Sequence, residues 1–388
     1  MTRRRPRILH VIGSLDVGGA ERQIVEIVRG LAARFEFHIG LLSPGGPLEP
    51  LVSAAEAKIH PLASRRGEMG PSRRLWRAAR AQSRLRALIR DLDPDIVHSW
   101  LFEGALLAAA SRWPSRTPPL IVSRRSLVEW IARHRGYYPL ARWTNRQADL
   151  LLANSEAVRT DVMRKEGVAA ERIALIYNGV DTSAYSPGPP DENLRRELGL
   201  PAGLPVVGMV ANLNVYKGHR ELVEAAAALR GKGKPLALLF VGRDGDAAVP
   251  LRGQVDLLKL ENVVFAGPRG DIPRMLRLMD IFVSASHEEG FSNSILEAMA
   301  TGRAVVTTSA GGSVEQIEDG ATGLVVPPRS PAALAAAVES LLADAALREQ
   351  LGAAAREKAI AKFGRERVLE ETAALYERLV ASRPVRRD

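Results

Sequence analysis

Residues 281–298 read Ile281-Phe282-Val283-Ser284-Ala285-Ser286-His287-Glu288-Glu289-Gly290-Phe291-Ser292-Asn293-Ser294-Ile295-Leu296-Glu297-Ala298. The stretch starts as an apolar strand over 281–285. It then crosses a polar loop holding Gly290 and enters a helix over 293–301. A strand feeding a glycine-containing loop and then a helix is the repeating unit of parallel α/β sheets. Read outward, the unit recurs. In the second half, strands are predicted at 206–211, 236–242, 263–267, 304–308 and 323–326, with helices at 220–229, 250–260, 331–343, 347–361 and 365–382. In the first half, strands fall at 7–13, 37–42, 95–99, 120–123, 150–154 and 173–177, with helices at 21–34, 72–91, 103–111 and 155–166.

The two series are separated by breakers around one short helix: Ser186-Pro187-Gly188-Pro189-Pro190, then Pro201, Gly203 and Pro205. The reading is therefore an α/β protein with two Rossmann-like, doubly wound domains. Residues 1–183 form the first and 184–362 the second, and a helix within 363–388 returns to the first. Ligands of such sheets sit beyond the carboxyl ends of the strands, so a cleft between two such edges is the expected site.

Composition narrows the chemistry. The 388 residues are 46% hydrophobic and 25% charged, with no cysteine, which excludes disulfides, thiolate metal sites and cysteine nucleophiles. It also fits a reducing, cytoplasmic setting. No apolar run reaches the roughly 18 residues of a membrane span. Arg3, Arg4, Arg5 and Arg7 lead into a short apolar stretch without a small-x-small cleavage site, which reads as a basic leader into a first strand. The net charge of +10 is lopsided: residues 1–190 hold 29 Lys/Arg against 18 Asp/Glu, and residues 191–388 hold 25 against 26. A basic half points to an anionic partner surface. Arg73, Arg77, Arg80 and Arg84 make one stripe along the helix at 72–91, suited to an anionic membrane. We read the stripe as lacking interleaved stacking aromatics, which sets nucleic acid aside.

Four places carry candidate chemistry. Gly18-Gly19 opens the first helix, where backbone amides attract phosphate. Lys217-Gly218 follows a strand and offers a point charge for a diphosphate. Glu289 on the loop and Glu297 on the helix are carboxylates suited to vicinal hydroxyls, and the amides around Gly290, Phe291, Ser292 and Asn293 could meet a phosphate at the helix start. Gly311-Gly312 with Glu315 reads as a loop at a strand end. No Asp-x-Asp pair is picked out as a metal bridge.

Taken in order, these residues resemble the retaining nucleotide-sugar glycosyltransferases of the GT-B fold, the glycosyltransferase group 1 or GT4-like family. The likeness runs through Gly18-Gly19-Ala20-Glu21, Pro94-Asp95-Ile96-Val97-His98, Ala153-Asn154-Ser155, Asn178-Gly179-Val180-Asp181, Glu289-Gly290-Phe291, Glu297-Ala298, Gly311-Gly312, Glu315 and Asp319-Gly320. It implies transfer of a sugar from a UDP-, GDP- or ADP-linked donor to a hydroxyl acceptor, either a growing polysaccharide or a lipid-linked saccharide. It implies retention at the anomeric carbon and no metal or other cofactor. By the same resemblance Glu289 faces the donor sugar, Glu297 holds the ribose, and Lys217 and Gly18-Gly19 meet the diphosphate. The backbone of Gly267 to Arg269 meets the base. The protein would be cytoplasmic, at the inner face of a membrane.

Two departures stand out. The arginine common before the lysine is absent from Val210-Ala211-Asn212-Leu213-Asn214-Val215-Tyr216-Lys217, and Arg124-Arg125 stands where relatives carry a histidine. His98, Arg124, Arg125 and Arg243 are therefore further candidates for donor-sugar or phosphate contacts. A GT-B sugar-nucleotide epimerase, a glycan phosphorylase and a non-catalytic sugar-nucleotide binding subunit are the alternative readings.

Overall fold

Seven strands pair in one parallel sheet: β1 (Arg7–Ile12), β2 (Glu36–Leu41), β3 (Lys58–Pro61), β4 (Ile96–Trp100), β5 (Leu120–Arg124), β6 (Leu150–Ala153) and β7 (Ile173–Leu175). A computed structural model describes residues 4–64, 71–113, 118–127 and 136–382, without the side chains of 71–75. The order across this sheet is β3-β2-β1-β4-β5-β6-β7. A second parallel sheet has β8 (Val206–Val210), β9 (Ala237–Val241), β10 (Val263–Phe265), β11 (Ile281–Ser284), β12 (Ala304–Thr308) and β13 (Leu324–Val326), ordered β10-β9-β8-β11-β12-β13. Each sheet starts its winding at a central strand, runs outward one way, then returns to the centre and runs the other. This is the Rossmann order, with a switch point where the direction reverses. The switch lies between β1 and β4 in one sheet and between β8 and β11 in the other.

The strands form because they are short, apolar and rich in β-branched residues. Such segments are stable only when both faces are covered. Ile8 pairs with Phe37 on one side and Ile96 on the other; Ile281 does so with Val207 and Ala304. The covering helices bury one stripe each. Helix Gly19–Leu31 buries Ile24, Ile27, Val28 and Leu31, and helix His219–Gly231 buries Leu222, Val223, Ala226 and Leu229. Each fully buried Leu or Ile contributes about 1.5–3 kcal/mol.

The chain divides into two compact units. One runs up to Asn178 and takes in the residues from Glu366 onward; the other is Gly179–Arg365. The terminal helix Arg365–Ala381 packs Val368, Leu375 and Tyr376 into the core of the first unit, with Tyr376 edge-on to Phe35 at 5.5 Å. Arg34 ties it down through Glu370 and Glu377. Among the described residues no helix is long and apolar enough to cross a membrane.

Five strands and α-helices were not anticipated, one of them the four-residue helix Ser313–Gln316 where a loop was expected. Strand β3 is an edge strand of Lys58, Ile59, His60 and Pro61, too polar to show a strand signal. Helices Glu49–Ser53 and Ile272–Leu278 are short and carry an internal proline in the first turn. Helix Tyr137–Gln147 mixes buried polar residues, Thr144 and Asn145, into its inner face.

Candidate active site

In the Gly179–Arg365 unit, the loops at the switch point converge. After β8 the chain makes a single 3-10 turn, Val215–Lys217, and reverses at Gly218. Gly218 has φ +75°, and a β-carbon there would lie 2.0 Å from the Ala285 carbonyl oxygen. Only glycine combines that conformation with that approach. The backbone amide of His287 donates to the Tyr216 carbonyl at 2.7 Å, stitching the β8 and β11 loops together. This brings Lys217, though 72 positions earlier in sequence, onto Glu289: Lys217 Nζ donates to Glu289 Oε2 at 2.6 Å. Ser286 Oγ donates to the same oxygen at 3.3 Å. The two charged side chains are 19% and 13% exposed. Burial alone would lower the lysine pKa, but the adjacent Glu289 carboxylate outweighs it and raises it. The ammonium is thus held charged at the mouth of the crevice.

Behind it, helix Asn293–Ala300 is capped by Ser292, whose Oγ accepts from the Ile295 amide. Gln316 locks that cap: its Oε1 accepts from the Ser292 amide at 3.0 Å and its Nε2 donates to the Ser292 carbonyl at 2.7 Å. The Gly312 amide donates to the Glu289 carbonyl at 3.0 Å. Phe291 is buried edge-on to Phe363. Glu297 is buried on the helix rather than displayed to solvent. A helix N-terminus, a charged lysine and two shielded carboxylates at a sheet switch point can stabilise a polyphosphate and orient hydroxyls.

Gly267 sits past β10 with φ +65°, and its carbonyl accepts from the Gly242 amide. The Arg269 guanidinium is committed to Asp271, two bonds of 2.8 Å, and reaches Glu197. Arg243 is exposed past β9, and its amide donates to Asn212.

In the first unit, Gly18 is the N-cap of helix Gly19–Leu31 in extended conformation. His98 is fully buried in β4, its two ring nitrogens engaged by Tyr376 at 2.7 Å and Ser123 at 2.8 Å. Arg124 is buried too and donates to Asn145 and Glu166, each at 2.7 Å. The geometry removes both from the candidate ligand contacts, because they point into the unit. Arg125 differs. Its guanidinium lies 5.2 Å from the Trp100 ring centroid and donates to Asn178 Oδ1 at 2.5 Å. Burial lowers its pKa to about 10 against the pull of Glu21, so it stays a cation near the start of the first helix.

Three expectations are revised. Asp-x-Asp strings do occur: Asp91-Leu92-Asp93, Asp93-Pro94-Asp95 and Asp244-Gly245-Asp246. Their roles are structural where described: Asp95 accepts from the Arg7 amide, Asp244 pairs with Arg252, and Asp246 accepts from the Val215 amide. The arginine stripe does carry an aromatic, Trp76, with Arg80 stacked over it at 5.2 Å. Within the stripe, Arg77 and Arg84 donate to backbone carbonyls instead of standing free; the side chain of Arg73 lies outside the described residues. Gln316 was missed, and Ser286, though within the stretch that opens the reading, was given no role. An isolated glutamine or serine carries no sequence signal of its own.

Comparison with known proteins decides the family. Residues 190–358 match the family Glycosyl transferases group 1, and residues 17–184 match Glycosyltransferase Family 4. The alpha-maltose-1-phosphate synthase of Mycolicibacterium smegmatis is 31% identical over 67% of this chain and 72% of its own length. The chain is a group 1 glycosyltransferase. The D-inositol 3-phosphate glycosyltransferase of Kineococcus radiotolerans is 28% identical over 97% of this glycosyltransferase and 94% of its own length. The crystal structure of Anabaena HepE with UDP and glucose superposes with a TM-score of 0.84, at 26% identity, over 96% of this chain and all of HepE. The fold class is therefore GT-B, as expected from the sequence.

Proposed function

We propose that this glycosyltransferase moves a hexose from a nucleoside diphosphate sugar to an acceptor hydroxyl with retention at the anomeric carbon. The Lys217–Glu289 contact at the β8/β11 switch point carries the reading. When the donor binds, the Lys217 ammonium exchanges the Glu289 carboxylate for the donor diphosphate, and Glu289 turns to the sugar hydroxyls. Glu297 takes the ribose, and the backbone of Gly267 to Arg269 meets the base. The amides from Gly290 to Asn293 and the Gly18-Gly19 turn meet phosphate oxygens. Reaction breaks the bond between the anomeric carbon and the β-phosphate oxygen, and the electron pair leaves with the diphosphate. The acceptor oxygen bonds to the same face of the sugar, and its proton passes to the departing phosphate oxygen. A fixed donor aimed at the charge that develops is worth about 2.7–4 kcal/mol. No step calls for a metal.

UDP is the carrier nucleotide we favour, because HepE, at 26% identity over nearly the whole chain, is seen with UDP and with UDP-glucose. The acceptor is a polysaccharide or lipid-linked saccharide, approached on the cytoplasmic face through the arginine-bearing helix Pro71–Leu92, whose Arg73, Arg77, Arg80 and Arg84 suit an anionic surface. The test is a thermal-shift panel of UDP-, GDP- and ADP-sugars followed by product analysis. A shift by one donor class with an axial product from an axial donor is expected. Binding without hydrolysis or transfer would make the chain a non-catalytic sugar-nucleotide subunit.

A further inference from the structure

Helix His219–Gly231 opens directly behind Lys217, and Glu221 stands in its first turn. An acid there gains from the helix dipole without any partner. Glu221 nonetheless turns inward. Its side chain is 13% exposed, and its Oε1 lies 2.8 Å from Nε2 of His287, itself 11% exposed. A carboxylate only accepts, so the imidazole donates. Among the described residues no other hydrogen bond reaches this carboxylate, and its Oε2 is buried without a partner.

His287 thus holds the Lys217 turn from both sides. Its backbone amide donates to the carbonyl of Tyr216, the residue before Lys217, and its ring donates to the helix that follows Lys217. One hydrogen bond would leave the turn free to pivot; two, placed on either side of Lys217, fix its orientation. The residue that makes both also stands two positions before Glu289, whose carboxylate Lys217 meets at 2.6 Å. Packing does not replace the second bond. A cavity of about 890 Å³, bounded in part by Val215, His219, Glu221, Leu251, Leu257 and His287, lies against the pair. A side chain bordering open space has no neighbours to hold it on that side. The orientation of Lys217 matters because a displacement of about 1 Å at a reacting centre can cost about 100-fold in rate.

We propose that His287 and Glu221 are positioning residues for the transfer, their hydrogen bond setting the Lys217 turn against the Glu289 loop. They act through Lys217 and Glu289 and do not themselves meet the donor. The assignment rests on the transferase reading of that site and adds to it what keeps the ammonium in place.

The test follows UDP release from UDP-glucose by the full chain, with UDP binding measured by isothermal titration and folding by thermal melting. His287→Ala and Glu221→Ala should each lower kcat about tenfold or more. KM for UDP-glucose and the affinity for UDP should stay within about threefold, because the base and ribose contacts lie elsewhere. His287→Gln keeps a donor and Glu221→Gln keeps an acceptor, so at least one of them should recover most of the lost rate. The double variant His287→Ala/Glu221→Ala should be no slower than the slower single variant, because the same bond is absent from all three. A folded alanine variant with near-normal kcat overturns the proposal. So does a loss carried by KM alone, a double variant in which the two losses multiply, or recovery by neither glutamine variant. Absence of UDP binding and of UDP release in the unmodified chain would overturn the UDP-sugar transferase reading itself, and this proposal with it.

Discussion

At the switch point of the second unit, Lys217 meets Glu289 in a partly exposed ion pair. At that of the first, His98 stacks on Trp100, His10 lies tilted against His98 with ring centroids 5.2 Å apart, and the Trp100 indole nitrogen donates to His10. The strand order is the same, yet one crevice is built of exchangeable charge and the other of buried neutral rings, with Arg125 the cation above them. A partly exposed ion pair can trade its partner for a ligand, because the incoming anion keeps the lysine paired. A buried imidazole pair cannot, because moving either ring leaves polar atoms unsatisfied. The duplicated strand order therefore does not duplicate the side-chain chemistry at the two switch points.

The sharpest way to break this contrast is Lys217→Ala. Turnover with the cognate nucleotide sugar is expected to fall on the order of 100- to 1,000-fold, with the melting temperature nearly unchanged. A folded variant with near-normal turnover would move the diphosphate chemistry elsewhere. The matching substitution in the first unit is Arg125→Gln. Its effect on stability should be small beside that of Arg124→Met, which strands the buried carboxylate of Glu166 and should cost about 3–5 kcal/mol in urea denaturation. Equal costs for the two arginines would show that Arg124 is not the interior anchor its contacts indicate.

How much of this was legible in the sequence follows from what each residue needs. The central strands of both sheets are buried on both faces, and that demand writes itself as Val/Ile/Leu runs such as Val206–Val210 and Ile281–Ser284. Edge strand β3 is half covered, so its pattern of Lys58, Ile59, His60 and Pro61 gave no periodicity to read. The loop carrying Glu289 was visible as a strand–loop–helix unit. Its meeting with Lys217 was not, because β8 and β11 are neighbours only through the reversal of winding order. Arg124 and Arg125 are indistinguishable as letters. Alternation along β5 turns one inward to Glu166 and leaves the other over Trp100. Trp76, one position before Arg77, was in plain view and passed over.

Glycines offer a smaller test of the same contrast. Gly218 of the second unit and Gly167 of the first both adopt φ near +70°, at +75° and +71°. Gly167 ends a helix, and a β-carbon added there would have nothing within 4 Å, so Gly167→Ala should cost only the left-handed penalty, about 1–2 kcal/mol. Gly218→Ala meets the Ala285 carbonyl at 2.0 Å and must also displace the backbone beside Lys217. It should lose more stability than Gly167→Ala and should lose turnover as well, which Gly167→Ala should not.

Acid titration separates the units by the smallest step. Burial lowers the pKa of His10 from 6.5 to about 3, and lowers that of His98 well below 6.5, in the first unit. In the second, burial and then the Lys217 charge lower His219 to about 4. Each ring is neutral in the folded protein and protonated in the unfolded chain once the pH drops below about 6.5. The unfolded state then binds more protons, so folding stability is intact above that pH and declines as the pH falls toward the folded-state values. Between about pH 6.5 and 5.5 each such histidine should remove about 1 kcal/mol. Urea denaturation across that interval should therefore show His219→Asn relieving about one third of the slope that the three histidines supply together. Because His10 and His98 lie in contact, replacing either in the first unit should also change the slope owed to the other, whereas His219 should act alone.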